Sequence, residues 1–115
     1  MLVFKSEAEV ANIRADFAVI GKLTDCRGVI VTAKGDSVDF VSRFFAPQVG
    51  IPEDHVTGSA HTTLTPYWSA KLGKVELDAV QLSPRKGFLH CKQAGERIEI
   101  SGRAKTYLIG EIFLE

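Results

Sequence analysis

A nearly uncharged helix in the middle of the chain is the feature that most constrains the fold. The residues from Ser59 to Leu72 fit a helix, and Lys71 near its end is their single formal charge. A helix on a protein surface carries charged residues opposite its apolar stripe. We therefore expect this helix to be surrounded by protein on most sides. Pro66 removes one backbone hydrogen bond inside it and predicts a bend or a free carbonyl at Thr62.

Runs of alternating apolar and polar residues flank this helix and predict strands. A capping box at Ser6 and Glu9 predicts a short helix near the start of the chain, and a second short helix or turn is expected over residues 16–23. A turn at residues 34–36 predicts a hairpin between the second and third strands. The predicted strands cover residues 2–4, 28–32, 38–45, 75–83, 87–92, 97–102 and 103–113.

Strands about ten residues apart, separated by turn signals, are typical of an antiparallel sheet that curls or closes. The sequence thus predicts one α+β domain over residues 1–115, an antiparallel, barrel-like sheet wrapped around one central helix. Tyr107, Ile109 and Ile112 are expected to point inward from the last strand. The helix residues expected to be buried are Leu64, Tyr67, Trp68 and Leu72, and the strand residues expected to cover them include Phe40, Val41, Phe44, Ile98, Ile100 and Ile109.

Charge and cysteine content exclude several classes of partner. Fourteen basic residues balance fourteen acidic ones, so we expect no nucleic-acid partner and no anionic membrane surface. The longest uncharged stretch, residues 55–70, is too polar for a membrane span, and the start of the chain does not resemble a signal peptide, which favours a cytoplasmic location. Cys26 and Cys91 lie far apart and predict neither a disulfide scaffold nor a zinc site. We expect no metal and no cofactor.

The start of the central helix is the candidate site. The first amides of a helix have no partner within it and carry the positive end of its dipole, so Thr57, Gly58 and Ser59 offer a place for a carboxylate or phosphate. Asp54 lies just upstream, and an anion held beside an acid suits proton transfer next to a carboxylate. The alternative is that Asp54, Thr57 or Ser59 only caps the helix.

Several motifs resemble, in order, the phenazine-biosynthesis (PhzF-like) isomerase and epimerase family. That resemblance implies the diaminopimelate-epimerase-like fold, in which two lobes, each a β-barrel around a central helix, enclose the active site. It covers essentially the whole chain but only the second, C-terminal lobe of the family, and the first lobe carries the principal acid/base glutamate. The matching residues are 43–47, 53–54, 56–61, 66–68, 72–74, 81–85 and 100–104.

The resemblance also implies roles for individual residues. It makes Asp54 a catalytic or substrate-orienting carboxylate and Gly58 and Ser59 the cradle for the substrate anion. With the local pattern added, Asp54 and Ser59 are the expected catalytic residues, and the expected substrate-binding residues are Thr57, Gly58, Ser59, His61 and Arg85. For His61 a packed histidine is an equal alternative, and for Arg85 an exposed turn arginine. His55 and Lys86 depart from the family pattern, which has a proline after the aspartate and a glycine after the arginine. His90 is expected to be structural.

Three functions remain open from the sequence. The first is a cofactor-independent isomerase that moves a proton on a small carboxylate-bearing metabolite and needs another lobe, from a separate chain or a second copy. The second is an orphan lobe without turnover, and the third is a small-anion binding module. Neither cysteine lies beside the glycine at the helix start, which disfavours a two-thiol racemase. A lone lobe leaves an interlobe face bare, so we expect a homodimer.

Overall fold

A seven-stranded sheet organises the chain, and the computed structural model describes residues 1–114. In chain order the elements are β1 (Leu2–Val3), α1 (Glu7–Ala11), α2 (Phe17–Ile20), β2 (Val29–Lys34), β3 (Phe40–Ala46), β4 (Ile51–Asp54), α3 (Gly58–Leu72), β5 (Glu76–Gln81), β6 (Gly87–Ala94) and β7 (Arg97–Ser101), with a 3₁₀ turn at Pro47–Val49.

Strand β3 has neighbours on both sides. The predicted hairpin is confirmed, because β2 and β3 pair antiparallel with Val29 opposite Phe45 and Lys34 opposite Phe40. On the other side, β4 pairs antiparallel with residues 44–46 and β5 pairs parallel with residues 40–42. Strands β5, β6 and β7 continue antiparallel from there.

The sheet is mixed, which corrects the expectation of an antiparallel one. Strand β1 is parallel to β2, and β3 is parallel to β5. A parallel pair requires a crossover, and helices supply both of them. Helices α1 and α2 lie between β1 and β2 along the chain, and α3 returns the chain to the end of the sheet at which β5 begins.

The two short helices form where the sequence predicts them. Ser6 Oγ accepts from the Glu9 amide at 3.2 Å, so Ser6 caps α1 as expected. The Glu9 carboxylate accepts from the Lys5 amide rather than from that of Ser6, which differs from an ideal capping box. Asp16 caps α2 by accepting from the amides of the second and third helical positions.

Helix α3 buries one face against the sheet. Leu64 and Trp68 are buried as predicted, whereas Tyr67 and Leu72 are half-buried at the edge of the same cluster. Phe40 stacks on Trp68 with ring centroids 5.9 Å apart, and Trp68 Nε1 donates to Thr32 Oγ1 at 3.0 Å. Gly73, with a φ of +65°, ends the helix in the left-handed conformation that glycine adopts without strain.

The opposite face of α3 is open, and the sheet does not close into a barrel. Thr62, Thr63, Pro66 and Ala70 are exposed along this face, so the expectation of a helix surrounded by protein is wrong. Small and hydroxyl-bearing side chains tolerate water without a charge, as when Thr62 Oγ1 donates to a helix carbonyl at 2.7 Å. A low charge content therefore does not distinguish an enclosed helix from this half-open one.

The strand cover of α3 also differs in part from the prediction. Phe40 and the half-buried Phe44 pack with the helix, whereas Val41 points to the other face of the sheet and packs in a second cluster with Val10 of α1. Ile98 and Ile100 are half-buried on β7. Alternation along β3 explains this division, because neighbouring strand residues face opposite sides.

The predicted last strand does not form. Residues 102–114 belong to no helix or strand, and every one of them is exposed. Tyr107, Ile109 and Ile112, expected to point inward, are 98%, 90% and 88% exposed. We call residues 102–114 the arm. The radius of gyration is 15.9 Å, against about 13 Å for a compact chain of this length, in keeping with an arm that extends from the body.

Candidate functional site

Four of the predicted site residues line one cleft of about 140 Å³ at the start of α3. They are Asp54, Thr57, Gly58 and Ser59. Asp54 ends β4, and Thr57 is the residue before the first helical position, so the turn between strand and helix brings them together. The other residues lining this anion cleft are Arg27, Phe44, Ala46, Val49, Ile51 and Val56.

The first turn of α3 is not capped by a side chain. Thr57 has extended backbone angles, and its hydroxyl makes no capping bond to the helix. That hydroxyl instead donates to Asp54 Oδ2 at 2.7 Å. Among the described residues, the Gly58 and Ser59 amides donate no hydrogen bond. Neither Asp54, Thr57 nor Ser59 makes a side-chain capping bond to this helix, so the two amides are available to a ligand.

A buried glutamine fixes the turn on which the cleft is built. Gln81, at the end of β5, is fully buried, and its Oε1 accepts from the Thr57 amide at 2.8 Å. Its Nε2 donates to the Asp54 carbonyl at 2.8 Å and to Thr57 Oγ1 at 3.1 Å. Ser83 Oγ donates to the same Asp54 carbonyl at 2.7 Å. The clamp of Gln81 and Ser83 thus holds both Asp54 and Thr57 in place.

An ion pair anchors the strand that carries Asp54. Arg43 on β3 donates from Nε and from a terminal nitrogen to the two carboxylate oxygens of Glu53, at 2.8 and 2.9 Å. The other terminal nitrogen of Arg43 donates to the carbonyls of Val10, Ala11 and Ile13 at the end of α1. Because both side chains are mostly buried and the pairing is bidentate, it fixes the position of β4.

His61 lies beneath the cleft and does not line it. It is fully buried, its Nδ1–H donates to the Thr57 carbonyl at 2.8 Å, and its ring packs 5.8 Å from that of Phe40. Burial lowers the pKa of the imidazole, with the bond to Thr57 acting in the opposite direction. His61 thus has the geometry of a packed histidine, the alternative to a substrate-binding role. We regard His61 as a residue that positions Thr57.

Arg85 and Lys86 lie in the exposed loop between β5 and β6. Arg85 does not line the anion cleft, and its role in substrate binding stays a prediction. Lys86, one of the two departures from the family pattern, lines a larger groove on the other side of Gly58. The other departure, His55, is half-buried beside Asp54.

This second depression is an apolar groove of about 820 Å³ with a basic rim. Phe88 lies in it with 69% of its surface exposed. Gly87 is required there, because a Cβ at that position would overlap the side chain of Val56. We call this depression the β6 groove, and its lining also includes Gly58, Leu89, Ile100, Ser101 and two cations, Lys86 and Arg103.

Among the described residues, neither cysteine and no histidine lines the anion cleft. The described residues contain no cluster of three or more His, Cys, Asp or Glu side chains suited to a metal ion. Cys91 is buried, which raises the pKa of its thiol, and Cys26 is exposed and unpaired with it. His90 is bonded to Asp78 on the neighbouring strand at 2.9 Å. No helix in this part of the chain has the length and apolar character needed to cross a membrane.

Three residues near the cleft carry no local sequence pattern that marks them as site residues. Arg27 lines the anion cleft. The next residue, Gly28, lies so close to the ring of Phe44 and the carbonyl of Phe45 that a Cβ there would overlap them, so glycine allows the chain to take this path. Gln81 and Ser83 belong to the matching stretch at residues 81–85, but no local pattern assigns them a role. Their partners are 24 to 29 residues away in sequence, so the fold itself is needed to find them.

Comparison with known proteins identifies the family. The family model of the phenazine biosynthesis-like proteins, PhzC-PhzF, matches residues 1–110. An uncharacterized isomerase of Pseudomonas aeruginosa is 50% identical over 114 residues, covering 99% of this chain and 44% of the relative. A phenazine biosynthesis-like domain-containing protein of Rattus norvegicus is 47% identical over 98 residues, or 79% of this chain and 34% of the relative.

Solved structures give the same result. The PhzF-family protein of Enterococcus faecalis has a TM-score of 0.88 and 51% identity, covering 97% of this chain and 43% of that one. The chain thus spans less than half the length of the relatives it matches, and the matched part is the C-terminal one. The family-model match, the similar sequences and the solved structures agree, and the chain belongs to the PhzC-PhzF family of phenazine biosynthesis-like proteins.

Proposed function

We propose that this chain is one lobe of a PhzF-like isomerase that transfers a proton on a small carboxylate-bearing metabolite without a cofactor. The observation that carries the proposal is the uncapped start of α3, where the Gly58 and Ser59 amides border a cleft beside Asp54. The names of relatives called isomerases support the reaction class.

The geometry suits the charge that develops in such a reaction. Removing a proton from a carbon next to a carboxylate moves negative charge onto the carboxylate oxygens. Amides fixed at a helix start stabilise that charge without reorganising, as an oxyanion hole does. Ser59 is exposed at this point and adds a hydroxyl donor. These groups form the proposed substrate-anion cradle, together with Thr57.

Asp54 is the proposed carboxylate that orients the substrate or exchanges the proton. The Thr57 hydroxyl donates to one of its oxygens at 2.7 Å and leaves the other to act in the cleft. The clamp from Gln81 and Ser83 holds the Asp54 backbone, so the carboxylate has a defined direction. Positioning of this kind is a large part of general acid–base catalysis.

A second lobe completes the proposed enzyme. Asp54 and Arg27 are the titratable residues that line the anion cleft, and the family resemblance places the principal acid/base glutamate on another lobe. We propose that a separate chain or a second copy supplies the facing wall. The same observation favours a second function for this chain alone, a small-anion binding module without turnover.

Deuterium incorporation in D₂O distinguishes these functions. We expect little exchange at the α or γ carbon of small unsaturated acids or amino acids with this chain alone, and measurable exchange after a first-lobe chain is added. Asp54→Asn should abolish the gained exchange while phosphate binding persists. If neither phosphate nor any small carboxylate shifts the Gly58 and Ser59 amide resonances, both the isomerase and the binding module are refuted.

A further inference from the structure

The hydrogen bonds of Gln81 fix the direction in which protons point beneath the anion cleft. Its buried side-chain amide makes three bonds, to the Thr57 amide, the Asp54 carbonyl and Thr57 Oγ1. A backbone amide can only donate and a carbonyl can only accept, so Oε1 faces the Thr57 amide and Nε2 faces the Asp54 carbonyl, both at 2.8 Å. Turning the side chain over would set donor against donor and acceptor against acceptor, so the network admits one orientation.

This orientation of Gln81 determines what the Thr57 hydroxyl does. Because Nε2 is a donor, Thr57 Oγ1 accepts from it at 3.1 Å. The hydroxyl has one proton of its own, and Asp54 Oδ2 accepts that proton at 2.7 Å. Thr57 is buried, so its hydroxyl has little access to water as another partner. The bonds therefore run one way, from Gln81 through Thr57 to Asp54, and adjacent bonds in such a chain polarise one another.

The two oxygens of the Asp54 carboxylate consequently differ. A proton on Oδ2 would point at the proton that Thr57 donates, so this oxygen is reserved as an acceptor. Oδ1 accepts no hydrogen bond from the described residues, and Asp54 lines the anion cleft. Oδ1 is thus the oxygen at which this carboxylate can take up a proton without breaking the chain of bonds.

We propose that Gln81 is a positioning residue whose amide, acting through Thr57, makes Asp54 Oδ1 the oxygen that exchanges the proton, a role that rests on the proposed function of this lobe. As a C–H bond of the substrate breaks, an O–H bond forms at Oδ1, and the electron pair spreads onto the substrate carboxylate beside the helix amides. The same proton then returns to another carbon that shares the charge, and Asp54 is a carboxylate again. Thr57 belongs to the cradle by position, but its hydroxyl proton goes to Asp54 rather than to the substrate.

Asp54→Asn in the full chain tests the direction of these bonds, because a side-chain amide has one donating end and one accepting end. The introduced amide should turn its oxygen to Thr57 Oγ1 and its NH₂ group to the cleft. In NMR spectra of the isotope-labelled chain, the NH₂ protons should therefore give no strong NOE to the Thr57 hydroxyl or methyl protons. A strong NOE between these groups overturns the proposal, because Thr57 would then accept from this side chain instead of donating to it.

Adding Gln81→Glu to that variant, at alkaline pH, should reverse the orientation of the introduced amide. A carboxylate at this position still accepts from the Thr57 amide, but it also draws the Thr57 hydroxyl proton. The introduced amide should then turn its NH₂ group to Thr57 Oγ1 and gain the strong NOE. Ser83→Ala is the matched control, because Ser83 bonds the Asp54 carbonyl and not Thr57, and it should leave the orientation unchanged.

The outcomes separate the role of Gln81 from the proposed function. An orientation that does not reverse with Gln81→Glu in a folded chain, or that reverses with Ser83→Ala, refutes the role of Gln81. If the chain with Gln81→Glu does not fold, the NOE pattern of Asp54→Asn alone decides. These spectra require no turnover, so their failure is distinct from a failure of deuterium exchange after a first-lobe chain is added, which tests the isomerase itself.

Discussion

Replacing Gly58 by proline removes one cradle amide while keeping the helix. Gly58 is the first helical position, where proline is well tolerated because its missing N–H has no partner within the helix. The preceding Thr57 has φ −107° and ψ 92°, which lies outside the α region that a following proline disfavours. No atom lies within 4 Å of a Cβ built on Gly58, so Gly58→Ala is a control that retains the amide.

The expected loss is that of one hydrogen bond to a charged group. Such bonds contribute about 1.5–3 kcal/mol, which corresponds to about 10- to 150-fold in affinity. Gly58→Pro should therefore weaken phosphate and succinate binding by that factor, whereas Gly58→Ala should leave it within about twofold. Both variants should unfold at the same or a slightly higher urea concentration, because each reduces the freedom of the unfolded chain.

Calorimetric titration with phosphate and with succinate measures the affinities, and the fluorescence of Trp68 in urea measures stability. Ser59→Ala serves as a companion that removes the neighbouring hydroxyl and keeps both amides. The reasoning fails if the proline and alanine variants bind equally well while both remain folded. It also fails if Gly58→Ala alone removes binding, since that would assign the effect to the added Cβ.

Four other variants test the packing around the site. Trp68→Ala should lower the free energy of unfolding, measured by circular dichroism, by about 3–5 kcal/mol, because it truncates the core and removes the bond that Trp68 Nε1 donates to Thr32 Oγ1. A loss below about 1 kcal/mol would contradict the packing of α3 on the sheet. Gln81→Met should lower the free energy of unfolding by about 2–4 kcal/mol, because the buried Thr57 amide loses its acceptor. Ser83→Ala should lower it less, because the Asp54 carbonyl keeps the bond from Gln81. Equal losses for the two variants would contradict the clamp. Burial lowers the pKa of His61 below 6.5, so the unfolded chain binds more protons and stability should fall as the pH drops below about 6.5. His61→Leu should reduce the dependence of the unfolding free energy on pH, measured by urea unfolding at pH 5–7. An unchanged dependence would mean that other groups cause it.

Locally determined features of this fold are predictable from the sequence. The Ser6 cap involves residues three apart, the β2–β3 hairpin involves adjacent strands, and the length of α3 is set by its composition and by Gly73. The same local logic brings Asp54, Thr57, Gly58 and Ser59 into one cleft, because they span a single strand-to-helix turn.

Strand β4 was missed for a physical reason. Its sequence, Ile51–Asp54, contains a proline and two acids, residues depleted in strands. It pairs only with β3, and the register shifts between Phe45 and Ala46, which leaves Pro52 without a partner in the ladder. Proline is accepted at such irregular edge positions because no amide is needed there.

The features that the sequence did not predict depend on distant partners. Nothing near Gln81 indicates that its amide meets Thr57, and nothing near Arg27 places it at the cleft. The last strand was predicted from the apolar residues Tyr107, Ile109 and Ile112, but residues 102–114 pair with no strand among the described residues. Apolar content in this segment therefore indicates a capacity to pair rather than a pairing that this structure contains.

The placement of β4 and β5 end to end beside β3 has a consequence for the order of folding. Pairing of β2 and β4 with β3 closes short loops, whereas β5 meets β3 only after α3 has been spanned, with Phe40 opposite Ala79. Long loops cost more entropy to close, so contacts that require them form late. We therefore expect residues 29–54 to pair before β5 joins β3. The anion cleft needs Gln81 at the end of β5, so we expect it to form only after that pairing.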